Sequence, residues 1–260
     1  GLHRSQWVGL EGAPETQTLN LHSPIGYDGI GLGISFLNDR IGPTSETYFD
    51  ADFSFTVPTS RSARLSFGLK ASAHLLDVRF SELDVDPAVQ PILQSDIDNK
   101  ISPNIGAGVY YHTQRFYAGL SVPRFLETEH FQTGSSPSVA RERMNFYFIS
   151  GYVFDLSRNI KFKPTILTRA VSGSPLQLDF SANFMFNEKF ILGAGYRWNA
   201  ALSGLAGFQL TDGLMVGLAY DNDITDLGRT RFNGGSFEMI VRYDFIRIFE
   251  NERIKSPRFF

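Results

Sequence analysis

Polar and apolar residues alternate at every second position along most of this 260-residue chain. Between residues 62 and 75 the apolar residues take the odd-numbered positions, and polar residues or glycine take the even-numbered ones. A period of two predicts a β-strand with one apolar and one polar face. The pattern recurs in segments of about 8 to 15 residues separated by turn residues, which is typical of a transmembrane strand array.

Fourteen such segments can be counted, which predicts an all-β chain folded as an antiparallel barrel of about 14 strands. We expect the barrel over residues 1–249 and a separate C-terminal tail over residues 250–260. The predicted strands lie near residues 2–9, 14–24, 29–40, 44–57, 62–78, 104–113, 116–123, 139–155, 160–169, 175–186, 189–198, 201–211, 214–221 and 235–249.

The connections between these segments fall into two alternating sets. One set is short throughout, and the other includes the long excursions 79–103, 124–139 and 222–234. An outer-membrane barrel has short periplasmic turns at one end and long extracellular loops at the other. An even number of strands places both chain ends on the short-turn, periplasmic side.

Composition excludes several other classes of protein. The chain is rich in aromatic residues, at 14%, but it has no unbroken apolar run near the roughly 18 to 20 residues that a membrane-spanning helix needs. A helical membrane protein is therefore excluded. A net charge of -3 offers no basic field for a phosphate backbone, which argues against nucleic-acid binding. Cysteine is absent, so disulfides, thiolate metal sites and cysteine nucleophiles are excluded.

A soluble β-sandwich or large barrel also alternates, and periodicity does not separate it from a membrane barrel. The connection lengths favour the membrane barrel, as do aromatic residues near strand ends: Tyr152, Phe154, Tyr196, Trp198, Tyr220, Tyr243 and Phe245. If the apolar face meets lipid, the ionic face lines the lumen. The predicted lumen network is then Asp50, Asp52, Arg64, Lys70, Asp179, Arg197, Glu238 and Arg242.

Candidate chemistry is sparse. Ser54 and His74, with Asp50 or Asp52, are the residue types of a nucleophilic triad, but no elbow or spacing motif accompanies them. The stretch 221–226 resembles a calcium loop, yet Asp226 stands where the sharp turn needs glycine. We therefore predict no catalytic residue, metal or cofactor.

The tail departs from the alternating pattern and mixes basic with aromatic residues. It is either a frayed terminus or a periplasmic docking peptide whose aromatic pair anchors in a partner. The candidate partner-binding residues are Arg253, Lys255, Pro257, Arg258, Phe259 and Phe260.

Several segments resemble the PorP/SprF proteins of Bacteroidetes. They are residues 4–18 (RSQWVGLEGAPETQT), 33–43 (GISFLNDRIGP), 220–227 (YDNDITDL), 234–238 (GGSFE) and 256–260 (SPRFF), spread over nearly the whole chain. An upstream segment similar to Asn-Pro-Ala-Tyr-Ala-Gly, associated with the family, is not among these residues.

The resemblance implies a non-enzymatic outer-membrane component of the type IX secretion system, linked in some members to gliding motility. It implies three partners: outer-membrane lipid, a secreted or surface protein with a type IX C-terminal domain, and a periplasmic lipoprotein or ring component. A channel or transporter for small or hydrophobic solutes is the alternative function for a barrel of this size.

Overall fold

The computed structural model describes residues 1–25, 29–82, 96–127, 143–225 and 234–245. They form one antiparallel sheet of fourteen strands, in which β8 is interrupted at Val153 and resumes at Phe154–Asp155. The strands are β1 Leu2–Ser5, β2 Glu15–Ile25, β3 Ile30–Ile41, β4 Thr44–Pro58, β5 Arg64–Val78, β6 Ile97–His112, β7 Phe116–Val122, β8 Asn145–Tyr152, β9 Ile160–Val171, β10 Gln177–Phe186, β11 Phe190–Arg197, β12 Ala201–Gln209, β13 Leu214–Asp223 and β14 Ser236–Tyr243.

The sheet closes on itself because every strand pairs with its neighbours in the chain and β14 pairs with β1. The closing register sets Arg4 opposite Glu238 and Ser5 opposite Phe237. The fold is therefore a closed barrel, which confirms the predicted architecture and strand number. Of the described residues, none belongs to a helix long and apolar enough to cross a membrane.

The large apolar side chains lie on the outer wall. Leu69 is 63% exposed and Ile34 is 60% exposed, whereas the polar His74 and Asn104 are 2% and 4% exposed. In the register of β4 and β5, Phe53 pairs with Leu69 on the outer face. Water would disfavour so extensive an apolar surface, so the burial pattern indicates that lipid hydrocarbon surrounds the barrel.

The two ends of the barrel differ in the length of their connections. At one end the strands are joined by short turns over residues 59–63, 113–115, 156–159, 187–189 and 210–213. At the other end the connections 79–96, 123–144 and 224–235 are long. In outer-membrane barrels the short-turn end faces the periplasm.

Strand β6 is longer than predicted, and the predicted loop over residues 79–103 is wrong beyond residue 96. β6 begins at Ile97, and its first residues pair with the C-terminal end of β5. Lys100 and Ile101 lie opposite Leu76 and Leu75, and the register shifts between Leu76 and Val78. The Asn99 N–H also donates to Asp77 Oδ1 over 2.8 Å. This hairpin end carries polar residues on both faces, so no apolar alternation marks it as strand.

Strand β1 is shorter than predicted because a turn begins directly after it. The chain turns at Trp7, whose φ is 47°, and the Gln6 N–H donates to the Pro14 carbonyl over 2.9 Å. Two predicted strands are also shorter where they can be compared: β8 begins at Asn145, and β14 ends at Tyr243. Residues 139–142, residues 246–249 and the tail 250–260 lie outside the described residues.

Candidate functional site

Lys70 forms the centre of an ionic cluster on the inner wall. Its Nζ lies 2.7 Å from Asp50 Oδ2 and 3.2 Å from Asp52 Oδ1. Asp50 also accepts hydrogen bonds from Ser72 Oγ and Ser35 Oγ, over 2.5 and 3.2 Å. Because these residues come from β3, β4 and β5, the cluster ties three neighbouring strands together on the face away from lipid.

A second ionic cluster closes the barrel. Arg4 Nη1 on β1 donates to Asp221 Oδ2 on β13 over 2.6 Å and to Glu238 Oε1 on β14 over 2.5 Å. All three side chains are about one-fifth exposed. The first strand is thus joined to the last two by charge as well as by backbone pairing.

The remaining predicted lumen residues occupy separate places on the inner wall. Arg197 Nε donates to Asp179 Oδ1 over 2.6 Å between β10 and β11. Arg242 Nε lies 3.3 Å from Asp244 Oδ2, and Arg64 sits opposite His112 in the register of β5 and β6. The structure therefore spreads the eight predicted residues over separate places on the inner wall rather than bringing them to one site.

Sequence reasoning missed Arg4 and Asp221 as members of these clusters. The available signal was that Arg4 interrupts the apolar face of the first predicted strand. A charge inside an otherwise apolar membrane strand usually faces the protein interior and pairs there.

A stack of side chains lies near the long-connection end of the inner wall. The rings of Tyr48 and His74 are parallel at 4.2 Å, and the Arg124 guanidinium lies 3.8 Å from the centre of the Tyr48 ring. Glu46 Oε2 accepts a hydrogen bond from Tyr48 Oη over 2.5 Å. This arrangement packs the Arg124 segment against the wall formed by β4 and β5.

The considered triad is not assembled. His74 pairs with Tyr48 across β4 and β5, whereas Ser54 pairs with Gly68, six positions away. Six residues of a strand span roughly 20 Å, which is far beyond hydrogen-bond reach. Ser54 Oγ instead lies 3.4 Å from the Gly31 carbonyl.

Within the described ranges, no group of three or more His, Asp or Glu side chains is arranged to hold a metal ion. The calcium-like stretch is described only up to Thr225, where the N–H and Oγ1 both donate to Asp223 Oδ1. The candidate tail residues Arg253, Lys255, Pro257, Arg258, Phe259 and Phe260 lie outside the described residues.

An aromatic girdle follows the lipid-facing side of the short-turn end. Its rings contact one another in sequence from β8 to β11, with centroid distances between 4.6 and 6.5 Å. The girdle consists of Tyr152, Phe154, Phe162, Phe184, Phe186 and Phe190. Aromatic girdles of this kind mark the level of the membrane interface.

Removing the Lys70 ammonium is expected to destabilise the barrel by about 1–2 kcal/mol. Lys70→Met leaves Asp50 and Asp52 without their cation on a partly buried wall, where an unpaired charge is costly. Guanidinium unfolding of the barrel in lipid vesicles measures the loss. Lys161→Met is the matched control, because Lys161 and Glu188 pair at 2.8 Å but Glu188 is 75% exposed, so its loss should stay below about 1 kcal/mol. Equal losses would contradict this account of the lumen cluster.

The exposed pair at the short-turn end gives a titration prediction. The hydrogen bond from Lys161 and its positive charge lower the pKa of Glu188. A lowered pKa contributes stability that is present above the unfolded pKa and is lost as the pH falls through the folded pKa. Because both causes of the lowered pKa come from Lys161, Lys161→Met should raise the pKa of Glu188 to its ordinary value. Carbon-13 NMR of the labelled carboxyl measures this pKa. An unchanged titration would show that Lys161 is not the cause.

Solved outer-membrane barrels resemble the chain only distantly. The β domain of the Bordetella autotransporter BrkA aligns over 94% of this chain and 96% of its own, at 10% identity and a TM-score of 0.39. A mutant porin of Rh. blastica aligns over 94% of this chain and 98% of its own, at 11% identity and a TM-score of 0.37. Similarity at this level says nothing about function. Among curated proteins, none matches the chain in sequence.

The family profile of the type IX secretion system membrane proteins PorP/SprF matches residues 1–243. The match covers all fourteen strands and confirms the resemblance carried by the sequence segments between residues 4 and 238. The apolar outer wall, the closed barrel and the family together place the protein in the outer membrane. The chain belongs to the PorP/SprF family of type IX secretion system membrane proteins.

Proposed function

We propose that this barrel is a non-enzymatic attachment component of type IX secretion that binds different partners at its two ends. At the long-connection end it binds a secreted or surface protein that carries a type IX C-terminal domain. At the short-turn end it binds a periplasmic lipoprotein or ring component of the machinery. In a motile host, the same attachment serves gliding motility.

The observation that carries the proposal is the difference between the two ends of one closed barrel. The connections 79–96, 123–144 and 224–235 are long at one end, whereas the turns at the other end are short. Loops on a rigid scaffold are the usual place for binding residues. Family membership supplies the class of partner.

The lipid-facing wall supports outer-membrane lipid as the third partner. Its exposed apolar side chains and the aromatic girdle suit hydrocarbon and the interface. The separation of Ser54 from His74 removes the one triad that the sequence offered, which supports a non-enzymatic role.

The tail is proposed as a docking peptide at the periplasmic end, because β14 ends there at Tyr243. Its cationic and aromatic members, Arg253, Lys255, Arg258, Phe259 and Phe260, are residue types that anchor peptides in partner pockets, and Pro257 limits the backbone between them. Replacing Arg258 and Phe259 by Ser should reduce recovery of the periplasmic partner. Heat-modifiable migration in gels checks that the barrel still folds.

Recovery of the barrel from native membranes in mild detergent tests the proposal. We expect a surface protein with a type IX C-terminal domain and a periplasmic machinery protein to copurify in stoichiometric amounts. Recovery of the barrel alone, across several detergents that keep it folded, would contradict the proposal.

The alternative is a channel or transporter, which the polar inner wall makes the natural competitor. Planar-bilayer recordings distinguish the two functions. An attachment component is expected to give no solute-selective conductance, whereas ligand-dependent or selective conductance together with an absence of protein partners favours the channel.

A further inference from the structure

Four of the short turns carry an unusual concentration of positive charge for a chain whose net charge is -3. In four consecutive turns and the strand residues beside them, six basic side chains stand against two acidic ones, Asp155 and Glu188. We call the six basic residues the basic arc. They are Arg61, Arg64, Arg115, Arg158, Lys161 and Lys189.

The two acidic residues are already paired. Arg115 Nη2 lies 2.7 Å from Asp155 Oδ2, and Lys161 Nζ lies 2.8 Å from Glu188 Oε1. Arg61, Arg158 and Lys189 are exposed, and none of them forms an ion pair with another residue of the described ranges. The arc therefore keeps positive charge available to a partner.

No member of the basic arc occupies a lipid-facing position of a strand. Arg64 and Lys161 lie on the inner face of their strands, and Arg61, Arg158 and Lys189 lie in turns. The outward positions between them belong to the aromatic girdle, such as Tyr152 and Phe190. Phospholipid headgroups would contact cations on the outward face, so this placement favours a partner in the periplasmic space or at the mouth of the lumen.

The arc is too wide for a single small anion to contact all of it. The four turns join β4 to β5, β6 to β7, β8 to β9 and β10 to β11. Strands lie about 4.8 Å apart, so neighbouring turns are roughly 10 Å apart and the arc extends over roughly 30 Å along the rim. An extended chain of carboxylates can contact cations at that spacing.

We propose that the basic arc is a docking surface for an acidic polypeptide segment of a periplasmic protein. The inference rests on the proposed function, since it specifies the chemistry by which the short-turn end recognises its partner. Complementary charge mainly accelerates association and selects the partner, and its effect weakens as salt rises.

Binding of a fluorescein-labelled deca-glutamate peptide to the full chain in neutral detergent tests this surface directly. The test variant carries Arg61→Ser, Arg158→Ser and Lys189→Ser. The matched control carries Arg79→Ser, Arg143→Ser and Arg169→Ser, which removes the same charge near the other end. We expect the test variant to bind about tenfold more weakly than the native chain and the control to bind normally, since three rim charges each contribute a few-fold.

Three results would overturn the inference: no peptide binding by the native chain at low salt, equal weakening in both variants, or binding to anionic phospholipid vesicles with none to the peptide. Heat-modifiable migration confirms that both variants are folded.

Copurification from native membranes separates this inference from the proposed function. If the native chain recovers a periplasmic partner and the test variant recovers it equally well, the inference fails and the function stands. If the native chain recovers none, the function fails, and the peptide titration judges the inference independently.

Discussion

Leu69→Arg is expected to destabilise the barrel by about 2–4 kcal/mol in lipid vesicles, the cost of an arginine near the bilayer midplane on a lipid-facing strand. Leu69 is 63% exposed and lies between Phe53 and Ala107 on the outer face of the barrel. In a water-soluble protein, replacing so exposed a leucine by arginine is almost neutral. Guanidinium unfolding in vesicles measures the change.

Leu156→Arg provides the matched control for this substitution. Leu156 is 58% exposed, but it lies in the short turn between β8 and β9, beyond the lipid-facing strands. The same chemical change there should alter the free energy of unfolding by no more than about 0.5 kcal/mol. Equal effects at Leu69 and Leu156 would mean that exposure, not lipid, determines the cost, and would contradict a membrane-facing wall.

Gly151→Ala is the second substitution with a large expected effect, a loss of about 2–3 kcal/mol from overpacking. A Cβ at Gly151 would lie 2.6 Å from the Tyr117 hydroxyl and 2.7 Å from its Cζ. Tyr117 is 2% exposed and its Oη lies 3.1 Å from Thr165 Oγ1, so the ring has little room to move. Chemical unfolding in vesicles again provides the measurement.

Gly204→Ala is the control, because a Cβ there meets no atom within 4 Å. It should leave stability unchanged or raise it by up to about 1 kcal/mol, through the reduced freedom of the unfolded chain. In a Tyr117→Ala background the cost of Gly151→Ala should largely disappear. If that cost persists without the ring, the contact with Tyr117 is not its cause.

The fold was predictable because lipid imposes a strict rule on the outer face of every strand. The alternation in β5 marks both the strand and its lipid-facing residues. Where β6 extends beyond the lipid, through Asn99 and Lys100, the rule no longer applies and the strand was missed. The early end of β1 depends on the backbone turn at Trp7, which no alternation reports.

The sequence predicts which charged residues lie on the inner wall, but it does not predict all the pairs that they form. Alternation placed Lys70 and Asp50 on the same face of neighbouring strands, and their hairpin register brings them within reach. Arg4 meets Asp221 only when the barrel closes, because 217 residues separate them in the chain. The same holds for Tyr117 and Gly151, whose contact depends on the register between β7 and β8.

The contact of the apolar wall with hydrocarbon is tested most directly by a nitroxide scan along β5. The chain has no cysteine, so single cysteines at residues 64–78 can be labelled one at a time in vesicles. At the lipid-facing positions, which include Phe67, Leu69 and Ala71, collisions with oxygen should be frequent and those with a polar nickel reagent rare. Ser66, Gly68 and Lys70 should show the opposite preference, giving a period of two. An oxygen profile that peaks at the even-numbered positions, or that has no period, would contradict the account.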